Sequence, residues 1–222
     1  MKLSTIKKDV PKKIYEILSK EFDELRPSQV KAVNAGLFKN KNLLVCTPTA
    51  SGKTLIAELT LTKNILEGKG KAVYIVPLKA LANEKFKDFK KKYDSLFNIA
   101  LSIGDLDSAD PYLASYDLII CTAEKLDSLI RHHSPWLQDI KTVIVDEIHL
   151  MNDPRRGPTL EILITILRQL LKNMQFIGLS ATIGNPKELA EWLDANLVID
   201  DWRPVKLKKG VYFDRDVEFE EI

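Results

Sequence analysis

Only two cysteines occur in 222 residues, Cys46 and Cys121, and each closes an apolar, strand-like run. Thiols so placed and so few exclude a disulfide framework and read as buried free cysteines of a reducing compartment. No apolar stretch approaches the roughly 20 residues that a membrane-spanning helix needs, and the N-terminus carries no apolar signal core. The expectation is a soluble, cytoplasmic, monomeric protein with no membrane partner. A charge surplus is missing too: 33 Lys+Arg stand against 31 Asp+Glu, leaving +2. Any nucleic-acid surface must therefore be local rather than a field of the whole molecule. Internal repeats and low-complexity segments are absent as well. Apolar residues are abundant, 45% of the chain, enough for a sizeable core in one large domain or two small ones.

The chain is organised around Thr47-Pro-Thr-Ala-Ser-Gly-Lys-Thr54. This stretch follows the apolar run Leu43-Leu-Val-Cys46 and precedes the helical run Leu55-Ile-Ala-Glu-Leu-Thr-Leu61. Strand, tight loop and helix are the context of a phosphate-binding loop. Backbone N–H groups of the loop and of the helix's first turn face one concavity, and the helix dipole adds positive potential there. Lys53 can reach outer phosphates as a point charge, and the Thr54 hydroxyl can hold a magnesium ion. Thr47 stands where the usual pattern has its first glycine.

In chain order, residues 1–9 are polar and expected to fray. Pro11 opens a short helix with Ile14, Ile17 and Leu18 as its stripe, and Pro27 opens another with Val30, Val33 and Leu37. Buried strands are expected at 43–46, 72–77, 98–103, 117–121, 142–146, 175–180 and 197–199. Helices separate them. One begins at Thr54. One runs from Leu78 to Tyr93, with Lys79, Lys85, Lys87 and Lys90 to Lys92 on a solvated face. Thr122 caps a third. The next, 157–172, is apolar nearly all round and so expected to be deeply buried. The last begins at Pro186. Residues 107–115 read as a short helical or irregular piece, and the tail from Trp202 alternates only weakly. Apolar strands alternating with helices give an α/β domain with a mostly parallel sheet and helices on both faces. Ligands on such sheets lie beyond the C-terminal strand ends. That edge gathers Thr47, Pro77, Gly104, Thr122, Asp146 and Ser180.

A phosphate loop by itself says only that a nucleotide binds. Hydrolysis also needs a carboxylate on the metal and one that orients or deprotonates water. Asp146-Glu147, ending the fifth apolar run, supplies both: Asp146 on the metal side, Glu147 on the water side. His149 follows closely. Ser180-Ala-Thr182 is in isolation only a weak loop signal.

Together these segments resemble the first half of a superfamily 2 helicase of the DExH type. Arg26-Pro-Ser-Gln29, Val76-Pro-Leu-Lys-Ala-Leu-Ala-Asn-Glu-Lys85, Thr122-Ala-Glu-Lys125, Arg156-Gly-Pro-Thr-Leu-Glu161 and Ser180-Ala-Thr-Ile-Gly-Asn-Pro186 are similar to the Ski2-like branch. They are most similar to the archaeal Holliday junction migration (Hjm) DNA repair helicases. The resemblance runs from about Phe22 to Val211 and implies a RecA-like, P-loop NTPase domain in three layers. It implies ATP and Mg²⁺ held by Thr49, Ala50, Ser51, Gly52, Lys53 and Thr54, with Thr54 and Asp146 on the metal. Lys53, Asp146 and Glu147 would be catalytic, and Gln29 would read the adenine edge, with Phe22 as a neighbouring aromatic. Pro77, Lys79, Lys85, Thr122 and Glu124 would track a nucleic-acid backbone. His149, Ser180 and Thr182 would couple the two sites. Arg155 and Arg156 stay open between nucleic-acid and interdomain contact.

On this reading residues 1–21 form an N-terminal helical extension, 22–200 the first motor domain and 201–222 a linker toward a second motor domain. The family's second domain supplies arginine fingers, and nothing after Val211 resembles it. The function implied is the motor domain of an ATP-dependent DNA helicase, 3′-to-5′, acting on single-stranded or forked DNA. The alternatives are an RNA helicase of the same branch, a free-standing nucleotide- or nucleic-acid-binding module, and a small-molecule kinase, for which no acceptor pocket or lid is visible.

Overall fold

Seven apolar runs become seven parallel strands. The computed structural model describes residues 1–104, 109–205, 210–213 and 216–219. The strands are β1 (Leu43–Cys46), β2 (Lys71–Val76), β3 (Ile99–Ser102), β4 (Leu118–Thr122), β5 (Ile140–Val145), β6 (Gln175–Ser180) and β7 (Asn196–Ile199). They lie in the order β3-β4-β2-β5-β6-β1-β7, and every pairing in this sheet is parallel. Alternate residues of each strand face opposite ways, and both faces are covered, so the runs carry no polar alternation. Leu43, Val45, Tyr74, Ile120 and Ile144 join one core; Leu44, Cys46, Val73, Ile75 and Ile119 join the other.

The first core is closed by α1 (Lys12–Leu18), α2 (Pro27–Asn34), α3 (Lys53–Leu66) and α4 (Lys79–Tyr93). The second is closed by α5 (Ala123–Arg131), α6 (Gly157–Leu170) and α7 (Pro186–Leu193). This is the expected three-layer RecA-like α/β domain. Its parallel strands bring Thr47, Pro77, Thr122, Asp146 and Ser180 to one edge, with Cys46 paired to Ser180, Val76 to Thr122 and Ile75 to Val145. Both cysteines are free and buried, and burial pushes the Cys121 thiol up to about 12. Among the described residues no helix is long and apolar enough to cross a membrane.

Three local expectations change, and the tail takes a form the sequence left open. The N-terminal nine residues are tied down. Leu3 and Ile6 belong to a 3-10 turn and are 2% and 1% exposed, Val10 is buried, and the backbone pairs at Leu3 N–H to Asp23 O and Leu25 N–H to Met1 O. Three apolar residues spaced along a polar segment were enough to dock it. Helix α6 is amphipathic rather than buried all round. Leu160, Leu163, Ile164 and Leu167 face the core, while Ile162 and Leu170 are exposed. The lysine face of α4 is not uniformly solvated: Lys92 pairs with Glu21 and Glu58, and Lys85 turns inward. The tail forms an antiparallel hairpin, β8 (Gly210–Phe213) with β9 (Asp216–Phe219). Asp105 and the start of the 107–115 piece lie outside the described residues, and Pro111–Ser115 is a 3-10 helix.

Candidate nucleotide site and nucleic-acid edge

The loop between β1 and α3 is shaped from within. Thr47 Oγ1 and Ser51 Oγ share a 2.7 Å hydrogen bond, and the chain turns through left-handed conformations at Ala50 and Gly52 (φ 63° and 92°). The φ of Gly52 favours glycine, and a Cβ there would also stand 2.5 Å from Gln29 Nε2 and displace that amide from the loop. Lys53 is 9% exposed, and its ammonium donates to Thr47 O (3.0 Å) and Ser180 O (2.9 Å). It thereby ties the ends of β1 and β6 together and holds a cation in the middle of the loop. Burial lowers its pKa, opposed by the nearby Glu147 and Asp146 carboxylates and by Cys46.

The segment at the start of α2 braces the loop from outside. Gln29 is buried and spans two backbones: Oε1 accepts from Arg26 N–H (2.8 Å) and Nε2 donates to Gly52 O (3.0 Å). Arg26 donates to Ala50 O (2.6 Å) and Ser28 Oγ to Ser51 O (3.3 Å). Trp202 lies over the Arg26 guanidinium at 5.7 Å. Phe22 packs half-buried against the first core. Arg26, Ser28 and Trp202 thus support the loop, a role that the residue types alone did not disclose.

Asp146 and Glu147 leave β5 beside this loop. Asp146 N–H donates to Ile75 O (2.8 Å), and Asp146 Oδ1 accepts the Glu147 N–H (3.0 Å). Asp146 Oδ2 accepts from the Tyr74 hydroxyl (2.9 Å). Tyr74 is fully buried, so this carboxylate is aimed by a group that looks like ordinary strand core in the sequence. Burial, then the Asp146 charge, raise the Tyr74 pKa well above the usual value and keep it a donor. Glu147 has φ 52°, an uncommon conformation for a side-chain-bearing residue and one that recurs at functional sites. Lys85 Nζ donates to Thr54 Oγ1 (3.0 Å) and lies 4.0 Å from Asp146 Oδ2. A hydroxyl and a carboxylate oxygen that converge on one cation are hard oxygen donors of the kind magnesium takes, so this pair fits such an ion.

His149 connects the strand ends. Its Nδ1 accepts the Ala181 N–H (3.3 Å), which fits a ring protonated at Nε2, and stands 3.4 Å from Glu147 Oε2. Ser180 is buried, and its carbonyl receives both Lys53 and Thr47 N–H. Its hydroxyl has no ordinary hydrogen-bond partner among the described residues, although the Cys46 thiol lies beside it. Thr182 is exposed.

Of the residues expected to track nucleic acid, Lys79 and Glu124 are exposed, and Pro77 is half-buried. Thr122 is buried and caps α5, accepting from Lys125 N–H at 3.4 Å. Pro77, Glu124, Glu147, Arg156 and Leu160 line one hollow, which puts Arg156 beside these residues. Lys85 does not stand on the rim with Lys79 but points toward Thr54 and Asp146.

The pattern of DEAD/DEAH box helicases matches residues 26–189. The chain belongs to the DEAD/DEAH box helicase family. The chain is 58% identical over 216 residues to the ATP-dependent DNA helicase Hel308 of Methanocaldococcus jannaschii, covering 93% of this chain and 18% of that protein. It is 54% identical over 214 residues to the Hel308 of Pyrococcus abyssi, covering 96% of this chain and 30% of that one. It thus spans less than a third of the length of either relative. Among solved structures, the DUF1998 helicase MrfA bound to DNA and AMPPNP matches with TM-score 0.75 and 29% identity, over 87% of this chain and 29% of that chain. The Mycobacterium smegmatis helicase Lhr bound to ssDNA and AMP-PNP matches with TM-score 0.73 and 28% identity, over 87% of this chain and 28% of that chain. The Ski2-like branch expected from the motifs is the branch these relatives support, and membership carries nucleotide binding with it.

Proposed function

We propose that these residues are the first motor domain of an ATP-dependent DNA helicase. ATP and Mg²⁺ would lie between the 47–54 loop and Asp146-Glu147, and single-stranded or forked DNA along the edge of Pro77, Lys79, Thr122 and Glu124. The observation that carries the reading is the convergence of Thr54, at the end of the phosphate loop, and Asp146, at the end of β5, on the one ammonium of Lys85. In this arrangement the loop amides and Lys53 would bind phosphates, Asp146 and Thr54 would hold the metal, and Glu147 would take a proton from the attacking water. The metal would supply charge neutralisation and phosphate orientation. His149, tied to Ala181, transmits rearrangement at Glu147 to the strand end at Ser180. DNA is favoured as the substrate by the relatives' names and not by any base-reading side chain, since backbone contacts carry no sequence information.

Arginine fingers on a facing domain are worth about 10³–10⁵ in turnover. The 222-residue chain alone is therefore expected to bind ATP weakly and hydrolyse it slowly, with little stimulation by DNA. Steady-state ATPase with and without single-stranded DNA or RNA checks this. Strong DNA-stimulated turnover by this chain alone would overturn the need for a second wall. Stimulation by RNA alone would overturn the choice of DNA.

A further inference from the structure

Lys85 lies in a segment expected at the nucleic-acid edge, yet its ammonium is inside the nucleotide cleft. It donates to Thr54 Oγ1 at 3.0 Å, stands 4.0 Å from Asp146 Oδ2, and lies 6.0 Å from the centroid of the Tyr74 ring. Its side chain is 17% exposed and that of Asp146 12%. The surroundings are built: Tyr74 fixes Asp146 Oδ2, the Glu147 N–H fixes Oδ1, and Tyr74 itself packs on Phe89 of α4 at 5.6 Å between ring centroids. The same helix, α4, thus carries both the lysine and a ring that steadies the carboxylate's partner.

Thr54 and Asp146 are also the two side chains that the proposed function assigns to magnesium, and the inference rests on that reading. A magnesium ion bonds oxygen at about 2.1 Å. An ion bound to Thr54 Oγ1, 3.0 Å from the present ammonium, would therefore lie within about 5 Å of that ammonium, in a partly buried cleft where like charges repel strongly. Each cation therefore disfavours the other there.

We propose that Lys85 is a resident competitor for the divalent metal. Its ammonium, hydrogen-bonded to Thr54 and paired at 4.0 Å with Asp146, opposes a divalent cation at the same oxygens until it withdraws. The metal requirement of nucleotide binding is then set by an exchange of cations and not by the affinity of the oxygens alone. The withdrawn charge stays on α4, whose first residue, Lys79, is exposed at the neighbouring edge.

The test is a Mg²⁺ titration of the binding of a fluorescent ADP analogue to the 222-residue chain, comparing wild type, Lys85→Met and Lys85→Gln. Loss of a competing unit charge is expected to lower the Mg²⁺ midpoint about tenfold in both neutral variants. Lys85→Arg, which keeps the charge, is expected to hold the midpoint at or above that of wild type. A merely structural lysine would lower the melting temperature of the neutral variants and leave their midpoints where wild type has its own; that result overturns the inference. Lys85→Gln, which can still donate to Thr54, serves where Lys85→Met does not fold. If the unmodified chain binds no nucleotide at any Mg²⁺ concentration, the nucleotide reading falls and this inference falls with it.

Discussion

Lys53 is pulled two ways. Burial disfavours its charge, the Glu147 and Asp146 carboxylates favour it, and burial wins, so its pKa lies below the ordinary lysine value of 10.5. The sign for folding follows. Just below pH 10.5 the native chain binds fewer protons at this group than the unfolded chain, so its contribution to stability rises with pH there and falls as pH drops through the native pKa. Nucleotide binding runs the opposite way, because phosphates need the ammonium. Nucleotide affinity is expected to decline with rising pH from a midpoint below 10.5, and the decline should be absent in Lys53→Met, whose affinity is already low. Fluorescent ADP titrations at stepped pH measure both curves; a wild-type midpoint at or above 10.5 would contradict the burial account. Glu147 is tested separately. Glu147→Gln keeps the shape and the backbone but removes the base, so hydrolysis is expected to fall about 10²–10⁴-fold. Nucleotide affinity should change little. Single-turnover hydrolysis beside equilibrium binding separates the two, and equal loss in both would assign Glu147 to binding.

The junction of the 3-10 turn Ile148–Asn152 with α6 makes a sharper demand. A Cβ at Gly157 would come within 2.0 Å of the Met151 carbonyl oxygen, a backbone atom with no rotamer to escape through. Gly157→Ala must push α6 away from the turn that follows Glu147 and carries His149. Overpacking of this kind costs roughly 1–3 kcal/mol, and for a chain of this size the melting temperature falls about 2–4 °C per kcal/mol. Gly184→Ala is the control: nothing lies within 4 Å of its Cβ position, and no shift is expected. Parallel thermal melts compare them, and equal melting temperatures would show that the junction relaxes freely. Elements also show where the sequence was readable. Runs such as Gln175-Phe-Ile-Gly-Leu-Ser180 are buried on both faces, so their length and position followed from hydropathy alone. Helix α6 has the same apolar density, but a helix has a third direction to face, and Ile162 and Leu170 took it. The carboxylates and the loop were legible by position, each directly following a buried apolar run. Tyr74 and Lys85 were not, since one looks like core and the other like surface. Only the pairing of β2 with β5 and the position of α4 over the cleft give them Asp146 as a neighbour.

At the scale of the whole molecule, the two ends of the chain differ in what they bury. Leu3, Ile6, Val10, Ile14 and Leu18 all enter the first core, and Glu21 pairs with Lys92 on α4. The hairpin β8–β9 instead leaves Val211, Tyr212 and Phe213 at 70%, 69% and 81% exposure. Burying one large aliphatic side chain is worth roughly 1.5–3 kcal/mol. Domain stabilities are only about 5–15 kcal/mol. Five such residues are therefore comparable with the whole margin, even after the ordering entropy of their segment is subtracted. A boundary at residue 21 on sequence grounds would cut through this core. The chain shortened to residues 22–222 is expected to melt far lower or to aggregate through uncovered apolar surface. The chain shortened to residues 1–205 is expected to keep its melting temperature within about 2 °C, because truncation tolerance follows burial rather than position in the sequence. Circular-dichroism melts of the two truncations beside the full 222 residues decide the matter. Nucleotide affinity follows the same order, since α3, whose first residue is Lys53, packs its apolar residues into the core that the N-terminal segment joins. If 22–222 melts cooperatively at the full-length temperature, the N-terminal residues are an appendage rather than part of the folding unit, and the loop owes them nothing.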